Sequence, residues 1–241
     1  MKIIDATDLD FRTLNHLFRY ETDDEFLVKN CLGQRFIAAG MSDKKITLNG
    51  ITGNALGAYL NNAQIIVNAN AQDAVGDTMN AGKIIIHGSI GDAAGYAMRG
   101  GCIYVQGDAG YRAGIHMKAY EDKIPVMIIG GCAGSFLGEY QAGGLIIVLG
   151  LNADPKRIVG NFSCTGMHGG KMFLRGDHRN LPLPSQVSAR IANQEDLNEI
   201  RPHLEDYCSY FDRSLDQLFD EPYTVITPDS QNPYHQMYVL N

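Results

Sequence analysis

The chain has 241 residues, with Lys+Arg 20 against Asp+Glu 27, so its net charge is 20 − 27 = −7. That balance speaks against an electrostatic grip on nucleic acid or on an anionic membrane surface. No stretch reaches the roughly 18 apolar residues of a membrane span and MKIIDATDLD lacks an apolar signal core, so the expected location is cytoplasmic.

Taken in chain order, Thr7 to Tyr20 reads as a short helix, with Asp8 as N-cap and Leu14, Leu17 and Phe18 as its apolar stripe. Leu27 to Lys45 then reads as a degenerate first copy of a repeating unit, because Leu27 lies 46 − 27 = 19 residues before Ile46. Regular copies open at Ile46, Ile65, Ile84 and Ile103, with gaps of 19, 19 and 19. Val126, Ile146 and Met172 continue the series with gaps of 23, 20 and 26. A fixed period near 20 is the mark of a stacked repeat.

Each unit starts with a β-branched run: ITLNG, IIVNA, IIIHG, IYVQG, VMIIG, IIVLG, MFLRG. Positions one and three are apolar in every run and should face inward together. Position two should face outward, yet Ile66, Ile85, Tyr104, Met127, Ile147 and Phe173 are apolar or aromatic. Such a stripe needs a cover, either the chain's own C-terminal segment or a partner subunit. Glycines recur at fixed offsets as expected corners: Gly50, Gly53, Gly57, Gly76, Gly88, Gly91, Gly95, Gly107, Gly110, Gly114, Gly130, Gly134 and Gly138. A Met-rich position follows them at Leu60, Met79, Met98, Met117, Gln141 and Met167.

The pattern predicts an all-β solenoid, a single-stranded right-handed parallel β-helix of about seven to eight coils. The helix would cap its first end. The expected division is a cap over 1–26, the repeat over 27–180 and a helical segment with an extended tail over 181–241. Insertions at 119–123 and 151–157 should form surface loops, solvated or in contact with a partner. After Pro182 and Pro184 the period stops. Leu197, Ile200, Leu204, Tyr207, Phe211, Leu215 and Leu218 then mark one helical face, which Pro202 should break into two or three short helices. YTVIT reads as a strand, followed by a Pro/Tyr tail.

No constellation of residues reads as catalytic, cofactor-binding or metal-binding. Cys31, Cys102, Cys132, Cys164 and Cys208 form no CxxC, and their odd number fits small buried residues better than a disulfide framework. The histidines show no HxH or HExxH spacing. Asp177-His178-Arg179 reads as a polar end of the repeat, and the glycines lack the setting of a phosphate loop. An active site over the insertions would use His116, Lys118 and His168.

The segments GITGNALG, GSIGDAAG and GDAGYRAG, together with GYRAGIHMK, FLGEYQAGGLIIVLG and TGMHGGK, resemble the GXGXG domain that closes the large subunit of glutamate synthase, in its free-standing form. The resemblance covers roughly Leu27 to Asp177. It implies a non-catalytic scaffold subunit that relates a glutamine amidotransferase to an FMN-dependent, iron–sulfur-containing synthase. FMN and the cluster would then sit on the partner subunits. The repeat also resembles the C subunit of formylmethanofuran dehydrogenase. A stand-alone assembly or binding module, including a homo-oligomer, is the remaining alternative.

Overall fold

The structure is a computed structural model and describes residues 1–151 and 158–229. Short β-branched runs form its strands, because branched side chains pack well on a pleated surface. The order is β1 (Lys2–Asp5), α1 (Phe11–Tyr20), β2 (Glu25–Leu32), β3 (Lys45–Ile51), β4 (Asn61–Val67), β5 (Ala81–Ile86), β6 (Cys102–Val105) and β7 (Val126–Ile129). Then come β8 (Ala142–Val148), β9 (Gly169–Arg175), β10 (Val187–Ile191), α2 (Gln194–Phe211), α3 (Leu215–Leu218) and β11 (Tyr223–Pro228).

All eleven strands join one open sheet in the order β1-β2-β3-β4-β5-β6-β7-β8-β9-β11-β10. Pairing is parallel from β1 to β9, then antiparallel from β9 to β11 and from β11 to β10. This corrects the expected solenoid, a right-handed β-helix closed by a helical cap. The first edge of the sheet is β1, paired with β2, and α1 does not cap it. At the far end, β11 takes the open hydrogen-bonding edge of β9, and β10 forms the final edge. The charge and turn pattern around Pro182 and Pro184 hid β10, whose run VSARI is interrupted by Ser188 and Arg190.

The 19-residue spacing does set the register. Ile46 pairs with Ile65, Ile65 with Ile84 and Ile84 with Ile103. Two expectations were one residue out. Phe26, not Leu27, pairs with Ile46. Ile103 pairs with Met127, not Val126, so Met127 faces inward and Ile128 takes its place in the outward stripe. In VMII every residue is apolar, so alternation carries no phase there. A one-residue shift exchanges the two faces.

Between the strands, the chain runs through turns in which alternate residues are left-handed. In the third regular unit these are Ala93 (φ 54), Gly95 (φ 67) and Ala97 (φ 49). The amides of these left-handed residues are paired with neighbouring units. Gly95 N–H donates to Val75 O at 2.7 Å, and Ala93 N–H donates to Tyr111 O at 2.7 Å. Each turn therefore bonds the unit before it and the unit after it. Single parallel bridges also link Thr52, Ala71, Ile90, Ala109, Ala133 and Val159 in series. Side chains add a ladder of their own. Asp73 Oδ1 accepts from Asp92 N–H at 2.9 Å, and Asp92 Oδ1 accepts from Tyr111 N–H at 2.8 Å.

Two apolar cores lie against the sheet. The first takes positions one and three of the runs (Met127 and Ile129 in the run of β7) with the buried Met column, Leu14 and Phe18 of α1, and Ile226 of β11. Cys164 occupies the turn position held elsewhere by glycine, at φ 63, and burial pushes its thiol up to about 12. α1 starts later than expected, at Phe11, and Asp10 rather than Asp8 caps it by accepting from Thr13 N–H at 2.8 Å. α2 also departs from expectation. It runs through Pro202 as one helix, anchored by an Asn193/Asp196 capping box and by packing along its length.

Candidate functional site

The outward stripe lies in the second core. Ile85, Tyr104, Ile128, Ile147 and Phe173 pack with Ile200, Leu204, Tyr207 and Phe211 of α2, with Leu218 of α3 and with Tyr223 of β11. Ile66 packs at its margin, partly buried. Of the two covers weighed for the stripe, the chain's own C-terminal segment is the one in place. The rings meet closely: Tyr207–Phe211 centroids lie 4.6 Å apart and His87–Phe211 centroids 5.1 Å apart.

A polar tie closes one margin of this core. Asp206 on α2 accepts from Lys83 Nζ at 2.5 Å and from Tyr104 Oη at 2.9 Å. Gln64 donates to Tyr210 Oη at 2.8 Å, and Lys83 Nζ lies 5.6 Å from the Tyr210 ring centre. Burial pushes the neighbouring Cys102 thiol up, opposed by its contact with Tyr104. Asp206→Ala would strip the Lys83 ammonium and the Tyr104 hydroxyl of their shared acceptor under α2. It should cost about 1–3 kcal/mol, because leaving a buried group unpaired costs more than the bond is worth. Urea unfolding checks this; a midpoint equal to wild type would show that water replaces the tie.

His203 on the same helix faces Asp206, Glu199 and Lys83, and burial pushes its pKa below the ordinary 6.5, against the pull of the two carboxylates. The unfolded chain therefore takes up a proton in a range where the folded chain does not. Stability should fall as pH drops below 6.5 toward the lower folded value. His203→Gln should flatten that part of the stability–pH curve, measured by urea midpoints across the range.

A second surface is the turn face, which presents rings to solvent. Tyr96, His116 and Tyr140 form a row, with centroids 5.9 Å and 5.1 Å apart and the second pair stacked within 10°. Tyr111, Phe136 and Phe162 form another, at 5.2 Å and 5.0 Å. The Arg112 guanidinium lies 4.7 Å from Tyr111 and 5.3 Å from Phe136, and its Nε donates to Glu139 at 2.8 Å. Phe162 is 61% exposed and Tyr59, further along, 58%. Rings and arginine are the side chains that protein interfaces enrich. Sequence reading named only His116 here, as a candidate for an active site; the recurring Tyr or Phe beside each glycine pair was the available signal for the rings.

His116 is in the ring row, Lys118 is exposed, and His168 places Nδ1 3.0 Å from Gly166 O. Asp177 forks with Arg179 at 2.9 Å and 2.7 Å, which holds its carboxyl down at about 2. His178 Nε2 lies 2.9 Å from Arg175 O. A cavity of about 240 Å³ lies beside them, lined by Leu149, Gly150, Ile158, Arg175 and Glu221. Among the described residues, no three His, Cys, Asp or Glu side chains lie where they could hold a metal ion. No helix among them is long and apolar enough to cross a membrane. Residues 152–157 of the second insertion and the tail from 230 fall outside the described residues.

The corner glycines divide into two kinds. Gly57, Gly76, Gly95, Gly114 and Gly138 are left-handed, as is Gly50. Gly53, Gly88, Gly91, Gly107, Gly110, Gly130 and Gly134 are not, but a Cβ there would run into the preceding unit. At Gly91 and Gly110 the obstacle is the Asp73 or Asp92 carboxylate of the side-chain ladder. A further set escaped the sequence reading: Gly82, Gly101, Gly144 and Gly170 enter β5, β6, β8 and β9. Three of them follow another glycine, and that doublet was the missed signal.

Comparison with known proteins covers nearly the whole chain. An uncharacterized protein of Methanocaldococcus jannaschii is 43% identical over 249 aligned residues, which span 98% of this chain and 95% of that protein. The profile of the GXGXG motif matches residues 26–227, from β2 to the end of β11, and so takes in the covering helices as well as the repeat. The chain belongs to the GXGXG motif family, the family of the C-terminal domain of the glutamate synthase large subunit.

Proposed function

We propose that this chain is a non-catalytic scaffold subunit of a glutamate synthase-type complex, in the cytoplasm. Its partners are a glutamine amidotransferase subunit and an FMN-dependent synthase subunit with an iron–sulfur cluster. The complex would convert glutamine, 2-oxoglutarate and reductant to two glutamates, with both cofactors held outside this chain. The observation that carries the reading is the family match running unbroken over residues 26–227. The turn face supports it: rings on paired left-handed turns form a rigid surface, which loses little freedom when a partner docks.

Recovery of the tagged chain from its native organism tests the proposal. Flavin absorbance in the recovered complex, with glutamine-dependent glutamate formation, is the expected result. A colourless homo-oligomer without that activity would overturn it in favour of a stand-alone assembly module. Tyr140→Ala with Phe162→Ala should weaken recovery of the partners without lowering the melting temperature of the isolated chain.

A further inference from the structure

α1 lays one side on the first core through Leu14 and Phe18, and turns Arg12, His16, Arg19 and Tyr20 away from it. These four lie at helical spacings of three, four and eight, on one face. With Phe11, Asn15, Phe36 and Ala39 they line an open groove of about 410 Å³. Arg35 flanks it; its guanidinium lies 5.5 Å from the Phe11 ring and 5.9 Å from the Phe36 ring, and Arg12 lies 5.6 Å from Phe11. The floor is fixed. Asn15 donates to Phe11 O and Phe36 O, both at 2.8 Å, and accepts from Ala38 N–H at 2.8 Å.

The charge of this groove runs against that of the molecule. The chain carries −7, yet Arg12, Arg19 and Arg35 converge here, and none makes an ion pair among the described residues. Arg19 donates to Ala39 O, at 2.7 Å. Of the acids next to the ends of α1, Asp10 caps the helix and Glu21 pairs with Lys2 at 2.6 Å. Three guanidinium groups beside exposed rings suit carboxylates attached to apolar side chains.

We infer that this groove docks an acidic segment of a protein partner, its carboxylates on Arg12, Arg19 and Arg35 and its apolar side chains on Phe11 and Phe36. The inference rests on the scaffold reading for the partner's identity and on the groove alone for its chemistry. An open trough lined by long side chains favours an extended peptide over a small anion, which would be held by converging donors in an enclosed site.

The test uses the full chain and a short fluorescein-labelled peptide of alternating glutamate and leucine, read by anisotropy. Binding should be saturable and should weaken as salt rises. Arg12→Glu with Arg35→Glu should lower affinity by about tenfold or more, and Phe36→Ala should lower it without changing the salt dependence. Equal binding of the glutamine–leucine peptide, or no loss in the double charge reversal, would overturn the inference. Displacement of the peptide by inorganic phosphate at low concentration would also overturn it, by making the occupant a small anion. Thermal melting of each variant shows that the groove is altered without unfolding. The same charge reversal in the recovery experiment separates the two readings. A complex that forms normally around the variant sinks the groove alone, whereas peptide binding without any recovered complex sinks the scaffold reading alone.

Discussion

Gly82→Val should be among the most damaging single substitutions in this chain, worse than Gly95→Val. Gly82 has φ 99, and a Cβ there would fall inside contact distance of Ala63 O, a backbone atom on the neighbouring strand. It lies beside a register irregularity between Asn61 and Ala63, where β4 and β5 meet. A left-handed conformation costs a branched residue roughly 1–2 kcal/mol by itself. The carbonyl cannot move without loosening the parallel pairing of two central strands. The total should pass about 4 kcal/mol, a large part of the roughly 5–15 kcal/mol that holds a domain folded. Gly95 shares the positive φ, 67, but its Cβ would meet only the terminal methyl of Met127, a flexible side chain. Urea unfolding of both variants checks the order. A Gly82→Val midpoint at or above that of Gly95→Val would mean that the β4–β5 irregularity is not built as described.

That contrast shows what could be read from the residues and what could not. The spacing of 19 set the pairing of β3 to β6 because identical runs place like side chains side by side. It did not set the architecture. A period reports that units stack, and it is silent on how the ends are closed. The sheet here stays open, with β1 as one edge and β10, paired with β11, as the other, none of which carries the repeat. Phase was lost where alternation was lost, in VMII, where four apolar residues in a row fit either face. Gly82, Gly101, Gly144 and Gly170 were missed for a related reason. They sit at the starts of strands rather than after them, and their need arises from a backbone contact across units. The arginine groove was the least legible. It joins Arg12 and Arg19 on a helix with Arg35 and Phe36 on a turn, and the sequence reading had set that helix aside as a cap.

Ile85→Asp should unfold the isolated chain or expel its C-terminal helices, and this substitution tests who covers the outward stripe. Ile85 is fully buried in the second core, whose wall is Tyr104, Ile128, Ile147 and the apolar face of α2. A carboxylate there loses its water and gains no partner, so it is forced toward its neutral form. Lost apolar burial adds to that penalty, and the sum should reach about 4 kcal/mol or more at neutral pH. The electrostatic part has a sign of its own. The folded-state pKa of the new Asp is raised, so its penalty is absent below the unfolded value of about 4 and grows as pH rises above it. Ile85→Asn lacks that dependence, so the two variants should converge in stability toward acid pH. Hydrogen exchange across Gln194–Phe211 reads the result directly, because α2 should lose protection in Ile85→Asp first. If α2 kept its protection and the chain its melting temperature while assembly with partners failed, the stripe would be a partner's surface in the working state. The helices packed on it here would then be its occupant only until the partner arrives.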